Sequence, residues 1–297
     1  MFRVVVRQKS GKQVFTMDIS FRRMGSEDIP FVLSVTAEEQ WYLTEKDISF
    51  YTGNKSALGT VAEIEGIPVG AATAVIYGRS AWIGNVIVKP EMRNIGLGRR
   101  LVDSHMLALR ENGVEEFMLY AYDRSKSLYE RMNFVFDAVF WELALQPDAT
   151  GRRSISKNVA FGYSDEIGIF DGRYFRNSRS EVLRFASSRP GSGAMTHRNR
   201  NGEIDGYLLF SRVDDSYGTE LAPFICTADA LADMMSSIGI EGGIFHVYVP
   251  QQNLRLIDDL RLRYSMVRRI HRGHVGEGKF LPIISRDVIS PGFLEMG

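Results

Sequence analysis

The chain has 297 residues, 44% hydrophobic and 24% charged, the profile of a folded globular protein rather than a disordered or fibrous one. Its 36 Lys and Arg balance 36 Asp and Glu, so there is no global basic field for nucleic acid or anionic lipid. The single cysteine, Cys226, excludes an intrachain disulfide and a cysteine-based zinc cluster, and the five histidines show no metal-binding spacing.

The length suits one large domain or two ordinary ones. No apolar run approaches membrane-spanning length, and the apolar core of Met1–Arg7 is too short for a signal peptide. The expectation is a cytoplasmic protein without metal. Residues 1–18 read as an appendage, with Met17 as a candidate second start. A strand is expected at Ile19–Met24, then a helix start at Ser26 as N-cap with acids in its first turn. Two short helices around Trp41 fill the segment from Ile29 to Phe50. Strands follow at Thr60–Ile64 and Ile67–Tyr77, joined by the hairpin signal Glu65-Gly66, then at Ala81–Val88. Leu97, Leu101, Val102, Met106 and Leu109 recur at helical spacing over Gly96–Asn112, which Gly113 ends. A strand at Phe117–Tyr122, a helix at Ser125–Met132 capped by Asp123 or Ser125, and a strand at Val135–Leu143 complete this half. A polar linker is expected at 146–158.

The same order then recurs. A helical segment at Asp171–Phe185 precedes strands at Ala194–His197 and Ile204–Arg212, joined by Asn201-Gly202. A strand at Tyr217–Ile225, a helix from Thr227 to Ile238, a strand at Phe245–Val249, a helix at Asn253–Leu262 and a strand at Met266–Arg272 follow. The repeated order argues for duplication of one α/β unit. Only the first half carries glycines between its third strand and helix. Cys226-Thr227-Ala228-Asp229 stands at that place in the second. Cys226 itself reads as a small buried hydrophobe, and the Arg268-Arg269, His271-Arg272 cluster as a solvated strand face.

The stretch with the most chemical content is Val86-Ile87-Val88-Lys89-Pro90-Glu91-Met92-Arg93-Asn94-Ile95-Gly96-Leu97-Gly98-Arg99-Arg100-Leu101. It runs from a buried strand through a polar turn and two glycines into a helix. A helix start with free N–H groups and room for close approach is a phosphate site. Taken alone, the glycines could equally make a ligand-free turn. A Walker lysine and a Rossmann fingerprint are both absent.

Arg93-Asn94-Ile95-Gly96-Leu97-Gly98 resembles the [Q/R]-x-x-G-x-[G/A] signature of the GNAT superfamily of acyl-CoA N-acyltransferases. Ser127-Leu128-Tyr129-Glu130-Arg131-Met132-Asn133-Phe134 resembles its later L-Y-E-K-x-G-F element, with Asn133 in place of glycine. This match covers about Ile19–Leu143. Glu39–Asp47 resembles a stretch of a subgroup with two GNAT-like domains. So do Asp171-Gly172-Arg173-Tyr174-Phe175 with Arg179, Gly206-Tyr207 through Arg212, Val267–Gly273 and the closing Leu294-Glu295-Met296-Gly297. The resemblance implies an α/β (α+β) fold: two GNAT-like units in tandem, each a mixed, mostly antiparallel sheet flanked by helices. Its divisions would be an appendage at 1–18, a GNAT domain at 19–145, a linker at 146–158 and a degenerate GNAT-like domain at 159–297.

The resemblance further implies an N-acetyltransferase that moves an acetyl group from acetyl-CoA to a primary amine by direct attack, with no metal. The pyrophosphate would rest on N–H groups of Asn94, Ile95, Gly96, Leu97, Gly98 and Arg99, with Arg93 adding charge. The pantetheine arm would pair with Val86, Ile87 and Val88 on a strand edge splayed from Phe117–Tyr122. Tyr129 would protonate the departing thiolate. Many family members carry a glutamate base where this chain has Gly84-Asn85; Asn85 can hold a water but cannot take its proton. Glu38, Glu39, Asp123 and the terminal carboxylate of Gly297 are the substitutes. Glu39 and Trp41 fall where the acceptor would bind, although Trp41 and Trp82 read better as packing residues. The acceptor would be a small-molecule amine or a protein lysine, with no nucleic-acid or membrane partner. The second half would form a wall of the substrate site or a homodimer surface. The alternative is an acyl-CoA-binding sensor or interaction module without turnover.

Overall fold

Glu65 and Gly66 both take positive φ, 52° and 78°, and turn β3 (Ala57–Ile64) back into β4 (Ile67–Tyr77). That two-residue geometry matches the twist of antiparallel strands and fixes their register. β5 (Ser80–Val88) continues the meander, and α3 (Leu97–Glu111) crosses over to β6 (Glu116–Tyr122), parallel to β5. α3 docks through Leu97, Leu101, Val102, Met106 and Leu109, all buried on one face. α4 (Asp123–Glu130) and β7 (Val135–Gln146) follow, with Asn133 at φ 66° after the helix. Upstream lie the hairpin β1 (Phe2–Ser10) and β2 (Gln13–Arg23), then α1 (Ile29–Ala37) and α2 (Glu45–Gly53). This computed structural model describes residues 2–10, 13–146, 155–214, 216–238, 243–260 and 263–297. Most of the expected linker, including Pro147, Gly151, Arg152 and Arg153, lies outside the described residues.

The second half runs β8 (Val159–Phe161), α5 (Glu166–Asp171), α6 (Ser180–Ser187), β9 (Ser192–Arg198), β10 (Ile204–Asp214), β11 (Gly218–Cys226), α7 (Ala228–Ser237), β12 (Phe245–Pro250), α8 (Leu254–Asp259), β13 (Arg263–Val275) and β14 (Val288–Ser290). The duplicated order is therefore present, and β11 and β12 are parallel like β5 and β6. Among the described residues the strands make one 14-stranded sheet, mostly antiparallel and flanked by helices, as the α+β expectation requires. No helix among the described residues is long and apolar enough to cross a membrane.

Sequence order does not anticipate how the halves join. β13 lies between β6 and β7, antiparallel to both, and β7 pairs on its other side with β12. Each half thus lends the other a strand. This placement corrects the reading of the stretch as a solvated face at His271 and Arg272, whereas the side chains of Arg268 and Arg269 stay 41% and 46% exposed. Arg272 and His271 are buried, and the arginines meet carboxylates of neighbouring elements: Arg268 with Glu142, Arg269 with Asp123 and Arg272 with Asp137. Three smaller expectations are also corrected. Gly25 rather than Ser26 precedes the first helical turn, and its N–H donates to Asp28 at 2.8 Å. The single helical segment at Asp171–Phe185 is two helices with a turn between. Asp123 sits inside the first turn of α4, where it meets His271 Nε2 at 2.6 Å instead of capping the helix.

Candidate active site

Between β5 and α3 the backbone forms an anion cradle. Asn94 and Gly96 take φ of 64° and 80°, and Gly96 is the N-cap of α3. The first helical bond runs from Arg100 N–H to Gly96. Among the described residues, the N–H groups of Asn94, Ile95, Gly96, Leu97, Gly98 and Arg99 have no acceptor. Unpaired donors in consecutive residues, with the positive end of a helix behind them, favour a phosphate. A Cβ at Gly96 would meet no neighbour within 4 Å, so glycine is used there for its φ. Gly96→Val is expected to distort the cradle and weaken pyrophosphate binding there about tenfold, read by calorimetry, with little change in melting temperature.

The strand leading into the cradle has an open edge. β5 and β6 pair only from Ser80/Glu116 to Ile83/Leu119 and part beyond. At the parting point β5 bulges: Thr73 faces Gly84 and Ala71 faces Ile87, so Asn85 and Val86 share one partner position on β4. Asn85 has φ 47°, and its side-chain amide donates to Thr73 Oγ1 at 3.0 Å. The parted strands wall a cleft of about 770 Å³ whose lining includes Val86, Ile87, Val88, Arg93, Asn94, Tyr129, Glu39 and Trp41.

Tyr129 is buried on α4, edge-on to Phe134 at 5.6 Å between ring centroids. Burial pushes its hydroxyl up to about 12, so it stays protonated at neutral pH. Arg93 donates from Nε to the Val88 carbonyl at 2.9 Å and pairs with Glu39 at 2.8 Å. Glu39 also pairs with Arg124 at 3.0 Å and so ties the cradle to α4. Burial raises the Glu39 carboxyl, but Arg124 and Arg93 outweigh it and hold it below the ordinary carboxylate range. Arg99 pairs with Asp103, one turn further along the exposed helix face, at 3.6 Å. Trp41 packs half-buried against the α1–α2 cluster and presents its remainder to the cleft, whereas Trp82 is core. Asp123 and Glu38 lie outside the cleft lining.

The far wall of the cleft comes from the second half: Arg189, Tyr217, Glu220, Tyr248, Arg268, Leu294 and Glu295. The segment Pro291–Gly297 crosses β5. A Cβ on Gly84 would come within 2.5 Å of the Glu295 carbonyl oxygen, and Gly297 lies against the Trp82 ring. The Tyr77 hydroxyl donates to the Met296 carbonyl at 2.6 Å, and Arg179 Nη1 donates to the carbonyls of Pro291, at 2.9 Å, and Gly297. The closing Leu294–Gly297 entered the sequence reading by resemblance and through the Gly297 carboxylate, but Glu295 and Glu220 as cleft residues did not. Gly84 was the available signal: a glycine inside the bulky run Ala81-Trp82-Ile83-Gly84-Asn85-Val86 marks a close backbone approach.

The second half has no equivalent cradle. Thr227 N–H donates to the Asp205 carbonyl at 2.9 Å, and Ala230 and Leu231 N–H return to Thr227. β11 and β12 also part after two residue pairs, but β14 fills that gap. It pairs with β11 at Phe224 and Ile225, and Ser290 Oγ accepts from Tyr248 N–H at 3.2 Å.

Residues 55–136 match the family model of the Acetyltransferase (GNAT) domain. Among curated proteins none matches the chain. A protein of Pyrococcus horikoshii described as a candidate acetyltransferase superposes over 97% of this chain and 99% of its own, with TM-score 0.77 and 18% identity. A tandem GNAT protein from the clavulanic acid biosynthesis pathway superposes over 86% of this chain and 98% of its own, at 0.62 and 13%. A GCN5-related N-acetyltransferase from Sphaerobacter thermophilus covers 86% and 95%, at 0.55 and 14%. At these identities the structures speak for the fold. Residues 55–136 carry the GNAT acetyltransferase domain, within a sheet whose architecture the chain shares with a tandem GNAT protein.

Proposed function

We propose that the chain is an acetyl-CoA-dependent N-acetyltransferase that acts on an amine by direct attack, with one donor site per chain. The observation that carries this reading is the open β5 edge running straight into six unpaired N–H groups. An extended amide-bearing arm suits the edge, and a pyrophosphate suits the cradle. The donor supplies a thioester carbonyl to the cleft. Asn94–Arg99 bind the anion, and Val86–Val88 hold the arm in register. A backbone N–H on the Asn85–Val86 bulge is the donor for the oxyanion that develops during transfer. Asn85, its amide group engaged by Thr73, keeps its carbonyl oxygen for a bridging water. Tyr129, protonated and buried beside Leu128 in the cleft wall, is the proton donor to the leaving sulfur.

Amine-dependent release of free thiol from acetyl-CoA tests the reading. Tyr129→Phe should lower thiol release about 100-fold or more while acetyl-CoA affinity stays within about twofold. Tight acetyl-CoA binding with no thiol release over a broad amine panel would make the chain a binding module instead. Because β14 occupies the parting between β11 and β12, calorimetry should find one acetyl-CoA per chain.

A further inference from the structure

We propose that the second half of the chain supplies the proton acceptor: Glu295, laid over Gly84 by the segment Pro291–Gly297, takes the proton of an incoming ammonium and shares it with Glu220 of β11. This rests on the acyl-transfer reading and assigns the acceptor side of the same cleft.

The need is chemical. An alkylammonium with a pKa of about 10.4 is not a nucleophile until it loses a proton. β5 offers no acceptor at the bulge, where Gly84 and Asn85 stand. Among the described residues four carboxylates line the cleft: Glu39, Asp47, Glu220 and Glu295. Glu39 is held between Arg93 and Arg124. Asp47 accepts from Thr44 N–H at 2.8 Å and pairs with Arg189 at 3.1 Å. Behind the wall, Glu142 absorbs Arg268, His246 and the Tyr217 hydroxyl. Two carboxylates remain. Among the described residues, Glu295 has as ion-pair partner only Arg189 Nη1, at 3.8 Å, which is shared with the nearer Asp47, and Glu220 has none. Both line the same cleft as Asn85 and Tyr129, between which an acceptor nitrogen has to sit.

The groups around the pair set its behaviour. Glu295 is faced by Arg189, Asp47 and Glu220; Glu220 is faced by Glu295, Arg189, Tyr248 and Glu142. Burial raises both carboxyls, the Glu295 charge raises Glu220 further, and Arg189 offsets only part of this. Two buried carboxylates whose charges oppose one another do not both hold a negative charge easily, so they titrate as a pair. A raised carboxylate is also a better proton acceptor for an amine than an ordinary one. The rings of Tyr122, Tyr217 and Tyr248 line the same end and suit a cation.

The step balances without a further reactant. The ammonium gives one proton to Glu295 and becomes a neutral amine. Its nitrogen forms a C–N bond to the thioester carbonyl as the C–S bond breaks. The sulfur takes the Tyr129 proton. Both nitrogen protons leave through the Glu295–Glu220 pair to water, and Tyr129 takes one back from water, so the pair is reset and one proton is released per turnover.

The test uses the full chain, acetyl-CoA and four amines: spermidine, cadaverine, glucosamine and a serine-terminated peptide. Glu295→Gln should cut thiol release about 100-fold or more with acetyl-CoA affinity kept. Glu220→Gln should keep part of the rate and move the acid limb of the pH profile down by about one unit, because the like charge on Glu295's neighbour is gone. A readout independent of turnover is melting temperature against pH. A carboxyl raised in the folded state stabilises below its unfolded pKa, and that stability is lost as pH rises through the folded value. Glu220→Gln should therefore gain on the wild type between pH 5 and about pH 9. Undiminished transfer by Glu295→Gln, or a Glu220→Gln difference flat with pH, overturns the proposal and leaves the acyl-transfer reading standing. A wild type that binds acetyl-CoA yet transfers to none of the amines overturns both.

Discussion

A chain cut after Gln146 is expected not to fold. The cut removes β13, which pairs with β6 from Phe117 to Tyr122 and with β7 along most of its length, and β12, which holds the other edge of β7. β7 would then have no partner on either side, and β6 would expose its edge beside it. Phe140 and Leu143 on β7 are fully buried, as is Ile270, which stands between β6 and β7. Each large apolar side chain returned to water costs about 1.5–3 kcal/mol. Phe140, Leu143 and Leu145 together come to roughly 5–9 kcal/mol on that scale, comparable with the whole stability of an ordinary domain. The orphaned backbone donors and acceptors of two strands add to that. Circular dichroism of residues 1–146 should show no cooperative melting, and the amide spectrum should lack dispersion. A dispersed spectrum with acetyl-CoA binding would show that the first half closes its own sheet.

What the sequence made legible was local. Glu65-Gly66, the helical spacing of Leu97, Leu101, Val102, Met106 and Leu109, and the glycines at 96 and 98 act within a few residues of one another. Each was readable, and so was the order of strands and helices in both halves. What it concealed depends on residues far apart in the chain. His271 and Arg272 of β13 looked solvated because Asp123 and Asp137, their partners, sit on elements more than a hundred residues earlier. The placement of β13 between β6 and β7 leaves no local mark, since any antiparallel strand of suitable length satisfies the same alternation. At the site, the cradle and Tyr129 carry motifs. Glu220 carries none, and the closing Leu294–Gly297 resembles a subgroup stretch without marking Glu295 as a site residue, because both reach the cleft only through the fold of the second half. β14 is three residues long, too short for any periodicity to announce it.

Arg179→Ala is expected to damage stability and activity together. Arg179 and Asp171 are almost completely buried, with the guanidinium donating from Nε at 3.1 Å and from Nη2 at 2.7 Å. The guanidinium stacks 3.2 Å from the Phe175 ring centroid, and Tyr207 bridges to the same carboxylate. Asp171 keeps Arg179 firmly charged despite burial. Removing one partner strands the other charge, at a cost of about 3–5 kcal/mol. In a chain of this size that lowers the melting temperature by about 10 °C. The carbonyls of Pro291 and Gly297 lose their donor at the same time, so the segment that sets Glu295 over Gly84 is released at both ends. A control separates the two effects. Pairing Arg179→Met with Asp171→Leu removes both charges and should recover most of the lost melting temperature. It restores no donor to the two carbonyls. Thiol release should therefore stay at least tenfold below wild type in the double variant, with acetyl-CoA affinity unchanged, because the cradle and the β5 edge lie in the other half of the chain. Recovery of rate along with stability would mean that the segment keeps its place through Tyr77 and the Trp82 face alone.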